Sequence, residues 1–450
     1  MNIHARRFLA YSFILAFVII APILIFYTAG YRYNPKKQQL ATTGTLVVET
    51  APRAARLTLN QEVEYQTPIR LTDLTPQKYT IEISKDGYYP WKKNLTINSQ
   101  ETTFAEDIVL FKKTDPKKLF DFRVTAMAET PDRKGAAILS HNENELDIYY
   151  YAFGSKTVQK IYNTTDTLNE PNLSWSKDGN FLLLTFAEPA LSGVIINRTA
   201  PSIKITVAEF MANAVKVKFS LEEDNILYAV SGDKIIQATI QNRILVTETV
   251  DNYNPVKQAD FNIYNDYLYL ISSDRNQETI IERHRVGVPA DRPEAKIILP
   301  TAEYTIPGVV DDHLVILDKT SDTTYFVSLG LGEILTGVTE LSSYYYKEKE
   351  NLLLVADKNE IAVFDLDAGE KTTITRVSDG ISHVSWYPEI NYVVYAFQNR
   401  AKIIELDERD YRLQWDLPID DINDMVLDRK GEFIYYFKNT EPGLFALEIH

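Results

Sequence analysis

Four stretches in the C-terminal two thirds of the chain share one register: LSWSKDGNFLLLTF from Leu173, VKFSLEEDNILYAV from Val217, VSWYPEINYVVYAF from Val384 and MVLDRKGEFIYYFK from Met425. Each reads as a short strand, a polar turn and a strongly apolar second strand. Looser copies begin near Val124, Gln258, Ile306 and Leu341. The eight starts lie roughly 35 to 48 residues apart, close to the length of a four-stranded propeller blade. A lone blade cannot bury both of its faces, so blades stack around an axis and each covers its neighbour. The spacing therefore predicts an all-β C-terminal domain over 119–450, an eight-bladed β-propeller with seven blades as the alternative. The last repeat supplies only three strands, at 423–427, 433–437 and 444–449, and a strand at 119–122 is expected to complete it by pairing the two ends. Turn residues at Asp178-Gly179, Glu389-Ile390-Asn391 and Lys430-Gly431 fit the first hairpin of a blade.

Within the repeat, Trp-Ser-x-Asp-Gly at Trp175 to Gly179 resembles the repeat of the periplasmic propeller of the Tol envelope system, and the array is similar to WD-like repeat propellers. That resemblance implies a fold, not an activity.

At the other end, an apolar run begins at Phe8 and ends at Ala29 without a charged side chain. A helix of about twenty residues crosses a ~30 Å hydrocarbon core, so 1–30 reads as a cytoplasmic stub and a single-pass transmembrane signal anchor inserted in the lipid bilayer. Retention is expected over cleavage, because Tyr27 occupies the position three before a cut after Ala29, where a small side chain is needed. Tyr27, Tyr31 and Tyr33 suit the interfacial aromatic belt, and Pro22 is tolerated within the span. Arg6 and Arg7 are nearly balanced by Arg32, Lys36 and Lys37. Translocation of a long domain after an N-terminal anchor then sets the orientation, with the bulk of the chain extracytoplasmic, in the periplasm or at the cell surface. Residues 31–42 read as a polar juxtamembrane spacer carrying Pro35.

From 43 to 111 the apolar alternation has period two. Leu46 to Val48 open a strand, Ala55, Leu57 and Leu59 follow, and Tyr79, Ile81 and Ile83 alternate with Thr80 and Glu82. Asp86-Gly87 supplies a tight turn, and Leu95, Ile97 and 104–110 complete a small β-sandwich. The segment GTLVVETAPRAARLTLNQ, then QTPIRLTDLTPQKYTIEISKDGYYPWKKNLTI and EDIVLF, resembles a PEGA domain through Gly44, Pro52, Ala55, Thr67-Pro68, Leu74-Thr75-Pro76, Tyr79, Gly87-Tyr88 and Trp91. Its namesake motif reads Pro52-Arg53-Ala54-Ala55, and Gln77 stands where the family has glycine. The resemblance implies an envelope-associated β module that serves as spacer or recognition domain, with no catalytic residues to carry over. Trp91 and Tyr88 are expected to pack in a core rather than form a binding face. The charged stretch 112–118 reads as a hinge.

Chemistry is sparse. A net charge of -15 disfavours nucleic acid as a partner, and the absence of cysteine removes disulfides, thiol catalysis and zinc-thiolate sites. His4, His141, His284, His313, His383 and His450 show no metal-ligand spacing. Asp311-Asp312, Asp365-Leu366-Asp367, and Asp420-Asp421 with Asp424 are candidates for a calcium site or a glycosidase carboxylate pair, weighed against ordinary turn residues. Asn94, Asn163, Asn172 and Asn197 open Asn-x-Ser/Thr triplets and are read as chance. Tyr149-Tyr150-Tyr151 and Tyr344-Tyr345-Tyr346 are expected to divide between the two faces of their strands, packing between blades. No residue is assigned a catalytic, cofactor-binding or metal-ligating role, and no cofactor is expected. The reading is a non-catalytic, membrane-anchored cell-envelope protein whose propeller is a binding or scaffolding platform for an envelope protein or a cell-wall polymer. The alternative is a propeller-type glycoside hydrolase acting on envelope polysaccharide.

Overall fold

The computed structural model describes residues 3–28, 31–34, 39–142, 145–165, 171–186, 192–207, 214–231, 234–252, 257–273, 278–288, 293–378, 380–388 and 391–450. Two compact units are present: Met1–Thr114 with Ile404–Trp415 and Ile449–His450, and Asp115–Ile403 with Asp416–Glu448.

The first unit begins with helix α1, Ile3–Thr28. Its segment Arg6–Thr28 has a mean hydropathy of 2.7 and no buried surface, so it is long and apolar enough to cross a membrane. Thr28 closes the helix by donating its hydroxyl to Leu24 O at 2.9 Å. Ala29 and Gly30, the end of the expected anchor, lie outside the described residues, as does Pro35. The juxtamembrane stretch read as a spacer contains a pair of short strands. Tyr31–Asn34 pairs antiparallel with Gln39–Thr42, Tyr31 opposite Thr42. Tyrosine, leucine and threonine favour extended backbone, and pairing satisfies amides that a spacer would leave to water.

The sandwich follows. One sheet orders Ile69–Leu74, Gly44–Ala51 and Thr102–Val109; the other orders Val63–Gln66, Arg56–Leu59, Gln77–Ser84 and Trp91–Ile97. Period-two alternation directs Leu46, Val48, Leu57, Ile81, Ile83, Trp91 and Leu95 inward, all at 2% exposure or less. Gly87 turns with φ +82, the left-handed conformation expected of its turn. Trp91 is a core residue, whereas Tyr88 is half-buried.

Among the described residues the propeller repeats form eight four-stranded sheets. The first strands of blades 1 to 8 are Ala126–Glu129, Asn172–Trp175, Ala214–Phe219, Lys257–Tyr264, Tyr304–Val310, Leu341–Lys347, Ile381–Trp386 and Ile422–Leu427. Seven blades are simple meanders in chain order; the eighth runs Lys117–Phe120, Leu444–Glu448, Phe433–Lys438, Ile422–Leu427, so the two ends of the array share one sheet. Lys117 stands opposite Ala446. This closure corrects the hinge, because Lys117 and Lys118 are strand residues and Lys112 donates its backbone N–H to Ile449 O at 2.9 Å within the first unit. Gly179 and Gly431 turn with φ +70 and +68 at the first hairpins of blades 2 and 8. The corresponding Glu389-Ile390 turn lies outside the described residues.

Blades pack face to face through large apolar side chains. Ile148 and Leu139 of blade 1 meet Leu182 and Leu184 of blade 2, while Tyr151 and Phe153 meet Tyr435 and Phe437 of blade 8. The tyrosine triplets obey strand alternation: Tyr150 contacts Trp175 of blade 2 edge-on at 6.1 Å, and Tyr151 contacts Tyr435 of blade 8 at 5.4 Å. Tyr344 turns to Phe326 of blade 5 at 5.7 Å, whereas Tyr345 lies under the Arg133 guanidinium at 4.3 Å.

Candidate cation-lined cavity at the propeller centre

The first strands of successive blades touch one another from blade 1 to blade 5 and from blade 6 round to blade 1, which places them innermost. Two cationic side chains cross this centre. Arg133, in the first hairpin of blade 1, donates to Trp386 O at 3.2 Å and Ser385 Oγ at 3.0 Å in blade 7. Its guanidinium also covers the Tyr345 ring of blade 6, so it joins blades that do not adjoin its own. Glu129 lies 3.4 Å from Arg133 Nε. Burial pushes the Glu129 carboxyl up to about 7 despite the opposing pull of that guanidinium.

Lys218, on the first strand of blade 3, is the second strut. Its ammonium donates to Phe261 O of blade 4 and to Ile306 O of blade 5 at 2.5 and 2.7 Å, and lies 2.9 Å from Asp260 Oδ1. Burial lowers its pKa to about 8, with Asp260 holding it up from below. In Val-Lys-Val-Lys-Phe, residues two apart share a face, so Lys216 lies beside Lys218 and reaches Asp260 Oδ2 at 3.1 Å. The Asp260 side chain is fully buried; its oxygens also accept the backbone N–H groups of Phe261 and Ile306, each at 2.8 Å.

Beside this cluster lies a cavity of about 780 Å³, lined by first strands of blades 2 to 5 and their turns, including Trp175, Lys177, Lys216, Lys218, Asn262 and Thr305. Among the described residues no aspartate or glutamate lines it. Trp175 is fixed by donating its indole N–H to Ala128 O at 2.9 Å. The cavity therefore presents ammonium groups, amide and hydroxyl groups and an aromatic wall, a set suited to binding.

The acidic candidates of the sequence do not converge. Asp311 occupies a left-handed turn position at φ +47 in blade 5. Asp365 accepts the Ala368 N–H at 2.9 Å, and Asp367 accepts the Asn351 amide at 2.7 Å, both in blade 6. Asp420 pairs with Lys438 at 2.9 Å, Asp421 accepts the Thr440 N–H at 2.9 Å, and Asp424 sits 3.5 Å from His383 Nδ1. Among the described residues no group of three or more His, Asp or Glu gathers as a metal site. His141, His284, His313 and His383 fall on four different blades. The central lysines escaped the sequence reading. Their signal was present, since two charges at i and i+2 on an apolar innermost strand require partners inside.

These features define a β-propeller protein with an N-terminal apolar helix and a small β-sandwich. Residues 43–110 of that sandwich match the PEGA domain family. No curated relative matches the sequence. Solved structures similar to the chain include Saccharomyces cerevisiae Sqt1, at 10% identity and TM-score 0.49, covering 75% of this chain and 99% of that one. The Myceliophteria thermophila Cps50 (Swd1) β-propeller domain aligns at 12% identity and TM-score 0.44 over 74% and 98%. Kuenenia stuttgartiensis hydrazine synthase aligns at 12% identity and TM-score 0.38 over 75% and 97%. At these identities the likeness concerns the fold alone.

Proposed function

We propose that the protein is a single-pass, extracytoplasmic envelope protein whose propeller is a non-catalytic binding platform for a protein partner. The observation that carries this reading is the joining of an unburied 23-residue apolar helix to a PEGA domain and a propeller with a ligand-sized central cavity. An exposed apolar helix of this length suits burial in a bilayer. A tethered propeller then offers a rigid surface, and among the described residues its cavity lining supplies donors and an aromatic side chain and holds no carboxylate pair of the kind glycoside hydrolysis uses. The orientation follows from translocation of a long domain behind an N-terminal anchor.

The test is protease treatment of intact cells expressing the full chain, combined with a photo-crosslinking residue at Leu221, which lines the cavity and is 37% exposed. Expected are retention in the membrane after alkaline washing, digestion from outside, and a discrete crosslinked protein adduct. Protection from outside protease refutes the orientation. Crosslinks only to wall polymer, or none, refute a protein partner.

A further inference from the structure

The lysines around Asp260 are unequal. Lys218 spends its three N–H groups on two carbonyls and one carboxylate oxygen, so it is a strut. Asp260 accepts from two ammonium groups and two backbone amides, which exhausts a carboxylate's acceptor sites. Among the described residues Lys216 hydrogen-bonds to Asp260 alone, keeps two further N–H groups, and leaves 43% of its side chain exposed. Lys177, also on the lining, donates to the Glu222 carbonyl at 3.1 Å. One buried carboxylate thus faces two ammonium groups, with a third at the rim; among the described residues the lining itself holds no acid, and Glu303 lies within electrostatic reach of Lys216.

A second observation is independent of charge. Asn262 lies on the first strand of blade 4 and lines the cavity, with the residue as a whole 5% exposed. Open to the cavity, its amide offers a donor and an acceptor to a group held there. The Ser174 and Thr305 hydroxyls line the same space, and Trp175 and Phe219 supply a flat apolar wall.

The geometry points to a built anion site in which Lys216 and Asn262 grip one carboxylate or phosphate group, with Lys177 at the mouth and the body of the ligand against Trp175. This deepens the platform reading and rests on it: the group captured is an acidic tip presented by the partner. The chain as a whole is acidic, at net charge -15, so a locally cationic cavity favours an acidic tip over a basic one.

The experiment is titration calorimetry of the detergent-solubilised full chain with glutarate and with glycerol phosphate, using glutaramide and glycerol as neutral counterparts. Expected is saturable millimolar binding of at least one anion, weakened by salt, with the neutral compounds inert; which anion binds distinguishes a carboxylate source from a phosphate source. Lys216→Met is expected to weaken it about tenfold or more, the loss of one charge-assisted hydrogen bond. Asn262→Leu, a nearly isosteric change that leaves every charge in place, is expected to weaken it about fivefold while retaining the wild-type melting temperature. No binding of either anion, equal binding of the neutral compounds, or affinity unchanged in Asn262→Leu overturns the site. These outcomes are separable from membrane orientation, because purified protein reports the cavity whichever way the helix inserts.

Discussion

The ammonium of Lys93 lies 2.7 Å from Glu405 Oε2 inside the first unit, with side-chain exposures of 0% and 4%. Trp91 donates its indole N–H to the other carboxylate oxygen at 2.8 Å across 314 positions of sequence, and Lys93 donates to Asp407 O at 2.6 Å. Lys93 is inward because Trp91, Lys93, Leu95 and Ile97 share one strand face, and all four are buried. The segment Ile404–Trp415 thus completes the PEGA unit: Asp410 accepts the Asn94 N–H at 2.9 Å, and the Trp415 indole donates to Pro90 O at 3.3 Å.

Breaking this pair on one side is expected to be far worse than removing it. Burial raises the Glu405 carboxyl above its ordinary value against the hydrogen bonds from Lys93 and Trp91, so the charged pair is not a large net source of stability. Lys93→Met leaves a buried carboxylate without its cation and is expected to cost roughly 3 to 5 kcal/mol. Adding Glu405→Leu is expected to restore a large part of that loss. Hydrogen exchange of the 43–110 amides measures both; equal loss in the single and double variants would show that packing rather than charge is responsible.

Glu129 makes the propeller's stability depend on pH. Its folded pKa is raised from 4.5 to about 7, mainly by burial, with Asp424, Asp132 and Asp428 adding and Arg133 opposing. Between those values the folded state holds a proton that the unfolded state releases, so stability falls as pH rises through the window and is flat on either side. The full difference is on the order of 3 kcal/mol. Glu129→Gln is expected to flatten the dependence, read from urea midpoints of the full chain below pH 4.5 and above 7. A wild-type slope retained in the variant would assign the effect to another group.

Closure of the ring is tested at Gly443, which precedes the strand paired with Lys117–Phe120. Its φ is +134, and a Cβ there would stand 2.5 Å from Lys118 Cε and 2.6 Å from Phe120 O. Gly443→Ala is expected to cost about 2 to 4 kcal/mol by displacing the closing strand. Gly369→Ala, at φ +68 with nothing within 4 Å, carries backbone strain alone and is expected to cost only about 1 kcal/mol. Thermal melts of the two decide the matter, and equal shifts would mean that the closing pair contributes little.

Much of the fold was legible because its causes are local. The first-strand turns at Gly179 and Gly431 and the alternation of Tyr79, Ile81 and Ile83 each need only a few neighbouring residues to declare themselves. Even the shared sheet followed from a local deficit, three strands at the C-terminus where four were required. The hairpin at Tyr31–Asn34 was missed because four-residue strands next to proline and lysines leave a pattern too short to separate from a spacer.

The candidate site was not legible in this way. Lys216, Lys218 and Asp260 lie on two strands of different blades, and Ile306, whose backbone groups complete the cluster, lies on a third. What the sequence determined by itself was periodicity: which residues face inward, that the C-terminal repeats build four-stranded sheets, seven or eight in number, and where the apolar helix lies. What only the tertiary structure decided was pairing at a distance, Lys93 with Glu405 and Lys218 with Asp260. Alternation says that a charge points inside, and only the closed fold says what it meets there, because long-range Coulomb partners leave no mark on the local pattern of either strand.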